Sequence, residues 1–552
     1  MSLTPLSRIL PAAIGLAVAG VVVGIAAWML PVNLRSVSPA LLKTAGAGTP
    51  TVAALGRDLV DLERIGPASQ LLAAAKTVND PRAPALERAI EAFAVRQPAL
   101  IAWGGWDAAL DPLFNLRSGP VRGASTPVLT FFLPAAAREK LRDYLRSSAS
   151  LGVQAIMGLR ELTATGRFVP ATRPGGQPLE ALLLLTALLY QGEHLAPSLQ
   201  REVRGLAEAA VLRKDLSELE PFLLDLLSLG RRLDWAQLSE LLRRTEDTKT
   251  AGAFAHLARV APAQLPIMYA AALFSDSADK VASYLIRYGK AGAEDLQLTL
   301  TLGQGAVRLL LARQVPVNRA GGKTAGAWGD FALAHPQVTL GLKYLGFLVG
   351  AYLVLRGLNR LVGRAPAEGL PPAALPQVRA GMLALFCAAL LVVGTEPFLL
   401  KAAPASEYQL RLTLPVLVAV TPANEVTSQP TLPMDSSTLL SIGLFASLQV
   451  AMYIFCLVKI REIAGQNLPP LTRLKLLENE ENLFDGGLYL GIGGTATALV
   501  LQVLGVIEPN LLAAYSSNLF GIVCVALVKI RHVRPIKREL IVASQADANV
   551  SS

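Results

Sequence analysis

Six stretches of this chain are apolar enough and long enough to cross a lipid bilayer as helices. A membrane-spanning helix needs about 20 predominantly apolar residues. The first stretch exceeds the apolar segment of roughly 7–15 residues found in cleaved signal peptides, so a retained anchor is favoured over a cleaved one. The stretches are Ile9–Leu30, Val338–Leu355, Ala380–Leu400, Leu439–Val458, Phe484–Val506 and Leu511–Val528.

Basic residues in the short loops predict the direction of these spans. Lys and Arg are retained on the cytoplasmic side of a membrane. With the N-terminus inside, the cytoplasmic side holds Arg8, Arg356, Arg360, Arg364, Arg379, Lys459, Arg461, Arg473, Lys475, Lys529, Arg531, Arg534, Lys537 and Arg538. The short outer loops hold only Lys401 and Arg411. This asymmetry predicts cytoplasmic N- and C-termini and places residues 31–337 outside.

Residues 31–337 show helical periodicity throughout. Leu141, Tyr144 and Leu145 recur at the spacing of one helix face. Ser217-x-x-Glu220 has the spacing of a capping box, and Asp234 is placed to cap the next helix. Gly289 follows an apolar face as a C-terminal stop. The pattern predicts either an irregular α-solenoid or a helical bundle, because no fixed repeat length is present.

The predicted fold class is an all-α integral membrane protein with six transmembrane helices and a large extracytoplasmic helical domain between the first two. Its predicted parts are an N-terminal anchor (1–30), the outer domain (31–337), spans two to four (338–458) with an outer loop (401–436), a cytoplasmic loop (459–482), spans five and six (483–530) and a basic cytoplasmic tail (531–552).

Composition agrees with a membrane protein. The chain is 52% hydrophobic and only 17% charged, whereas soluble proteins carry about a quarter charged residues. Its formal net charge of +10 does not form one compact basic patch, because the basic residues of the short loops follow the predicted direction of the spans, so it does not predict nucleic-acid binding. Cys387, Cys456 and Cys524 all lie inside predicted spans, which leaves the outer domain without a disulfide framework.

The motifs of common enzymes and metal sites are missing from the sequence. The four histidines lack metal-ligand spacing, and no G-x-S-x-G motif is present. Gly321-Gly322-Lys323-Thr324 resembles the end of a phosphate-binding loop, but Val317 stands where the motif needs glycine. Trp103 and Trp106 favour core packing over a ligand platform. The sequence therefore predicts a protein that is not an enzyme and has no metal or cofactor.

Polar and small residues are concentrated in the last two predicted spans. They are the candidate site: Thr495, Thr497, Ser517 and Asn518 as pore-lining or helix-interface residues, and Gly491, Gly493, Gly494 and Gly521 as close-packing glycines. Two interpretations stay open. Small residues allow close helix packing with hydrogen bonds across the interface. Polar groups in a span can instead line a water path.

The segment Leu490–Leu499 (LGIGGTATAL) resembles the L-G-x-x-G-T-x-x-G/A segment of MotA/TolQ/ExbB-type proton-channel subunits. Ala513–Ile522 (AAYSSNLFGI) is similar to the next span of that family. The resemblance implies that Thr495 matches the first pore-lining threonine and Asn518 stands at the second. It also implies a homo-oligomer around a single-span partner protein that supplies a membrane aspartate.

These patterns predict a non-enzymatic envelope component of a bacterial cytoplasmic membrane, in contact with membrane lipid. In this hypothesis the outer domain binds partners and the last spans assemble with copies, as an oligomeric ion-channel or motor-like subunit does. Two alternatives remain open: a small-solute transporter, and a membrane-anchored binding or scaffold protein that conducts nothing.

Overall fold

The computed structural model describes residues 6–118, 124–319, 328–362, 375–396, 398, 436–503 and 511–551. Within these residues the chain is helical, and its β structure consists of two isolated bridges, Val32 with Val37 and Ala164 with Asp215. The all-α prediction is thus confirmed for the described part of the chain. The phosphate-loop-like Gly321–Thr324 and nearly all of the predicted outer loop 401–436 lie outside the described residues.

The helices up to residue 313 are α1 (Leu6–Met29), α2 (Pro39–Gly46), α3 (Val52–Asp61), α4 (Ile65–Thr77), α5 (Ala83–Arg96), α6 (Pro98–Ile101), α7 (Asp111–Phe114), α8 (Val128–Phe132), α9 (Ala135–Arg146), α10 (Leu151–Gly158), α11 (Gln177–Gln191), α12 (Pro197–Arg213), α13 (Glu220–Gly230), α14 (Trp235–Leu242), α15 (Thr248–Val260), α16 (Leu265–Ser275), α17 (Ala278–Leu302) and α18 (Gln304–Arg313). Short 3-10 turns cover Leu159–Glu161 and Pro262–Gln264.

The later helices are α19 (Trp328–Ala334), α20 (Pro336–Val362), α21 (Leu375–Thr395), α22 (Ser436–Ala464), α23 (Pro470–Asn479), α24 (Glu481–Phe484), α25 (Gly486–Val503), α26 (Leu511–Ala526) and α27 (Arg534–Ser551). A π-helical turn, Leu527–Val533, joins the last two. The contacts divide the chain into two compact units, which we call the helical unit (Leu41–Val317) and the span unit (the described residues of Met1–Ala40, Asn318–Pro404 and Leu414–Ser552).

The helical unit is built around three enclosed helices. In α11 every residue from Leu179 to Leu189 is buried, and α14 is buried along its whole length. In α16 nine of the eleven residues are buried. Helices that are apolar on all sides belong in the core of a fold. A stack of helix pairs leaves one face of each helix outward, so this arrangement is closer to a bundle than to a solenoid.

Local predictions in the helical unit have mixed outcomes. Asp234 caps α14, as predicted, and the structure adds a reciprocal capping box with Gln237. Gly289 also ends a helical segment, because its φ of 57° interrupts α17. The capping box at Ser217 and Glu220 is wrong. Glu220 instead accepts hydrogen bonds from the backbone N–H groups of Gly166 and Arg167, and this loop contact outcompetes the cap.

In the span unit, α1 and α20 pack together through glycine. A Cβ atom on Gly20 would lie 2.6 Å from the carbonyl oxygen of Gly350, and one on Gly346 would lie 2.8 Å from the Cβ of Ala27. Such distances show that the two backbones nearly touch, which is typical of close packing between membrane helices. Phe347 of α20 is buried against Ala27 and against Ala388 of α21.

Two helices of the described chain are long and apolar enough to cross a membrane, over Pro11–Met29 and Pro336–Leu361. This is fewer than the six predicted spans. Ala380–Thr395, in the third predicted span, is apolar but too short. The fourth to sixth predicted spans fall on α22, α25 and α26, whose side chains are described only in part. A bent pair, α15 with the segment Pro262–Ser275, could count as a third span, but its apolar residues belong to the core of the helical unit.

Candidate functional site

The candidate residues of the last two predicted spans lie at a close contact between α25 and α26. A Cβ atom on Gly491 would lie 2.9 Å from the backbone oxygen of Ser517, and one on Gly494 would lie 2.4 Å from its hydroxyl. A Cβ atom on Gly521 would likewise lie 2.6 Å from the carbonyl oxygen of Gly487. The Ser517 hydroxyl donates a hydrogen bond of 3.3 Å to the carbonyl of Gly491. These small residues let the two helices meet backbone to backbone.

The remaining candidates have different surroundings. Thr495 donates a hydrogen bond of 3.0 Å to the carbonyl of Gly491 in its own helix. A Cβ atom on Gly493 would meet open space, so Gly493 lies outside the α25–α26 contact. Asn518 is half-buried, and its Oδ1 atom is buried with no hydrogen-bond partner among the described residues. Thr497 lies on α25, and its side chain is outside the described part.

A third helix joins this contact. The Gln449 amide on α22 donates a hydrogen bond of 3.0 Å to the carbonyl of Gly487, and Cys524 donates to the carbonyl of Gln449 at 3.6 Å. At one end of α25, Asp485 pairs with Lys529 at 2.8 Å. The candidate residues are therefore part of a packed three-helix group, fixed at that end by an ion pair.

Sequence reasoning missed a second polar site, which we call the lysine site. Lys343 lies inside α20, in an apolar segment, and its side chain is buried. Its ammonium group donates to the carbonyl oxygens of Leu30 at 3.1 Å and Val32 at 2.9 Å and to Oδ1 of Asn33 at 2.7 Å. Three oxygens thus surround the charge at the point where the chain leaves α1.

A buried carboxylate secures the residues that follow. Glu396, directly after α21, accepts a hydrogen bond of 2.6 Å from the Tyr344 hydroxyl and others from the backbone N–H groups of Leu34 and Arg35. Lys343 and Glu396 together fasten the ends of α1, α20 and α21. A lysine inside an apolar span was the available signal, because ionisable groups are rare there and are normally paired.

Asp107, His194 and Arg243 form a row of polar contacts in the helical unit. Oδ2 of Asp107 lies 3.0 Å from Nε2 of His194, whose Nδ1 lies 2.8 Å from a guanidinium nitrogen of Arg243. A guanidinium only donates, so Nδ1 is the acceptor and Nε2 carries the hydrogen. Burial raises the pKa of Asp107, but the neighbouring His194 and Trp235 side chains and a hydrogen bond from the backbone N–H of Ala109 outweigh it and hold the pKa at about 2.

Both ring nitrogens of His194 face protein groups, so neither is directed at a substrate or a metal. In the described part of the chain, no group of three His, Cys, Asp or Glu side chains is placed to hold a metal ion. The core packing predicted for the two tryptophans is found for Trp103. Trp103 is buried and stacks on Phe131 with ring centroids 3.8 Å apart, whereas Trp106 is partly exposed under Arg117.

Asp234 is the most strongly perturbed carboxylate of the helical unit. It is buried between Gly66 and Gly104, where any added Cβ atom would lie within 2.4 Å of its oxygens. Burial raises its pKa to about 7, although hydrogen bonds from Ser125 and from backbone N–H groups at the start of α14 act in the opposite direction. The two glycines provide the space that a buried cap of this size requires.

Comparison with known proteins assigns no family to this chain. No protein-family model, no curated protein and no solved structure matches it. The resemblance of the last two predicted spans to proton-channel subunits therefore stays a prediction, and the functional argument rests on the residues described above.

Proposed function

We propose that this protein is a membrane-anchored binding protein of the cell envelope, not an enzyme, that holds its helical unit on the extracytoplasmic side. In this proposal the six predicted spans cross a bacterial cytoplasmic membrane, with both termini in the cytoplasm. The helical unit, which is inserted between the first two spans, is the part that recognises a partner.

The observation that carries this proposal is the lysine site. The helical unit is a long insertion whose two ends join α1 and α20, and these helices pack through glycine and are fastened by Lys343. Burying a lysine is expensive unless its charge is met by oxygen atoms. Three oxygens meet that cost at the point where the chain leaves α1 toward the inserted unit, and Glu396 binds the backbone of the residues that follow. These contacts tie the ends of α1, α20 and α21 together within the span unit, which favours an anchoring role for that unit.

The contact between α25 and α26 supports an anchor over a pore. In a pore, the polar strip of these helices faces water or a partner subunit. Here Ser517 and Gly491 bond to each other, and the Thr495 hydroxyl bonds within its own helix. The hydroxyls of Ser517 and Thr495 are thus both bonded within one chain.

A proton-channel subunit is the second candidate, and Asn518 is the observation that favours it. Its buried Oδ1 has no hydrogen-bond partner among the described residues, and a buried acceptor without a partner costs about 1–3 kcal/mol. A helix of another subunit or of a single-span partner protein could supply the donor.

Photocrosslinking in living cells tests the binding role. A photoreactive amino acid is placed at Val95 or Leu212, apolar side chains of the helical unit that are each 84% exposed. The control is Lys475 on α23, which the proposal places in the cytoplasm. The proposal expects one discrete extracytoplasmic partner crosslinked from the helical unit and not from Lys475. Crosslinks only between copies of this chain, together with proton flux in liposomes that Asn518→Leu abolishes, would contradict it and support the channel.

A further inference from the structure

Three arginines of the helical unit surround a single buried carboxylate, and we call this group the arginine cluster. Glu180, in the first turn of α11, is bonded at Oε2 by Arg138 at 2.9 Å. Its Oε1 is shared by Arg142 at 3.1 Å and Arg160 at 2.9 Å. Arg138, Arg160 and Glu180 are each at most 9% exposed. The three guanidinium groups therefore lie close together in a largely buried place.

The charges of the arginine cluster do not balance. In the described part of the chain, Glu180 is the one carboxylate paired with these three arginines, so the group keeps a surplus of two positive charges. Like charges held together away from water repel strongly, and buried charges are normally paired. The repulsion is strongest between Arg142 and Arg160, whose guanidinium groups both bind Oε1 of Glu180. The cluster favours a further anion.

The hydrogen-bond donors are in surplus as well. Each guanidinium carries about five N–H donors. Arg142 and Arg160 each use one of them on a protein acceptor, and Arg138 uses two, on Glu180 and on the carbonyl of Leu133. The Nε groups of Arg142 and Arg160 are buried with no partner among the described residues. A ligand with several acceptor oxygens would take hydrogen bonds from these unpaired N–H donors.

We propose that the arginine cluster is a binding site for an oxyanion of the phosphate class. Planar guanidinium groups match phosphate oxygens with paired hydrogen bonds, and a doubly charged anion balances the surplus charge. The anion would approach at Arg142, because its side chain is 29% exposed while those of Arg138 and Arg160 are each 11% exposed. This site is independent of which macromolecule the helical unit binds.

Thermal unfolding of the full chain in an uncharged detergent tests the site, with inorganic phosphate titrated against sodium chloride at equal ionic strength. We expect phosphate to raise the unfolding temperature more than chloride does. Arg142→Gln should weaken the apparent phosphate affinity roughly tenfold or more, because it removes charge-assisted hydrogen bonds. Arg142→Lys keeps the charge but not the paired donors, so its apparent phosphate affinity should lie between those of the wild type and of Arg142→Gln.

The matched control is Arg146→Gln, one turn along the same helix. The Arg146 side chain is 63% exposed, and its guanidinium group lies 4.0 Å from the Asp143 carboxylate, outside the cluster. Its replacement therefore removes the same charge without touching the cluster. Equal losses in the two glutamine variants, or no phosphate-specific effect in the wild type, would overturn the proposal. Short-chain phosphatidic acid distinguishes the sources of the ligand. Tighter binding than inorganic phosphate assigns a lipid headgroup, and equal binding assigns a free phosphate.

Discussion

The hydroxyl of Ser517 donates a hydrogen bond to the backbone carbonyl of Gly491 across the contact between α25 and α26. A hydroxyl can reach a backbone carbonyl of another helix only where small residues let the backbones approach, and Gly491 and Gly521 provide that approach. Ser517, a polar residue that could line a pore between subunits, therefore joins two helices of the same chain. This relationship favours an anchor.

Gly491→Val should destabilise the full chain in detergent. Its new side chain would begin 2.9 Å from the backbone oxygen of Ser517 and 3.1 Å from Cα of Asn518, and backbone atoms cannot move aside as a flexible side chain can. Overpacking of this kind costs about 1–3 kcal/mol. Gly493→Val, two residues away on the same helix, adds the same side chain into open space and should change the unfolding temperature little. Equal effects of the two substitutions would show that this contact does not form.

Lys343→Met should lower the free energy of unfolding by about 3 kcal/mol. The methionine keeps most of the side-chain volume but removes the donor that three buried oxygens share, and leaving a buried acceptor unsatisfied costs about 1–3 kcal/mol. Tyr344→Phe removes a single hydrogen bond to Glu396 and should cost about 1 kcal/mol. Urea unfolding of both variants measures the difference, and a Lys343→Met variant as stable as the wild type would refute the lysine site.

Stability should fall as the pH rises from about 4 to 7 because of Asp234. Its pKa is about 7 in the folded protein and 3.8 ordinarily, so the folded chain holds a proton that the unfolded chain releases in this window. Its stabilising contribution is complete below 3.8 and is lost as the pH rises through 7. Asp234→Asn retains a capping oxygen and should flatten this slope, leaving a smaller one from Asp225, whose pKa burial raises to about 6. Thermal unfolding across this pH range measures both slopes. An unchanged slope in Asp234→Asn would contradict the assignment.

Asp107 should act in the opposite direction. Its folded pKa of about 2 lies below the ordinary 3.8, so its contribution is present above pH 3.8 and is lost as the pH falls through 2. The loss is on the order of 2 kcal/mol. Asp107→Asn should therefore be less stable than the wild type at pH 6, and the gap should narrow near pH 2. A gap that stays constant with pH would mean that the carboxylate is not held ionised by His194.

Much of the helical architecture could be predicted from the sequence, because its signals are local. The cap at Asp234 and the break at Gly289 need only neighbouring residues, and both are confirmed. The sequence predicts the residues of the site between α25 and α26 as a group, but not which of them face the contact. Gly491 and Gly494 lie in the contact, whereas Gly493 meets open space, since each residue turns about 100° around a helix.

The polar sites that were missed depend on contacts between distant parts of the chain. Lys343 bonds residues more than 300 positions away, and Glu180 bonds three arginines on other segments. The spacing of Leu141, Tyr144 and Leu145 puts Arg142 on the opposite, polar face of α9. Local periodicity shows which face is polar, but it carries no information about which buried group that face meets.

The oligomeric state of the full chain in mild detergent tests the central claim most directly. Native mass spectrometry gives the number of copies and any bound protein in one measurement. An anchored binding protein should be recovered as one copy of the chain, alone or with a partner that is lost when the exposed apolar residues Val95 and Leu212 are replaced by glutamate. A ring of several copies around a single-span protein with a membrane aspartate would contradict this account and establish the channel.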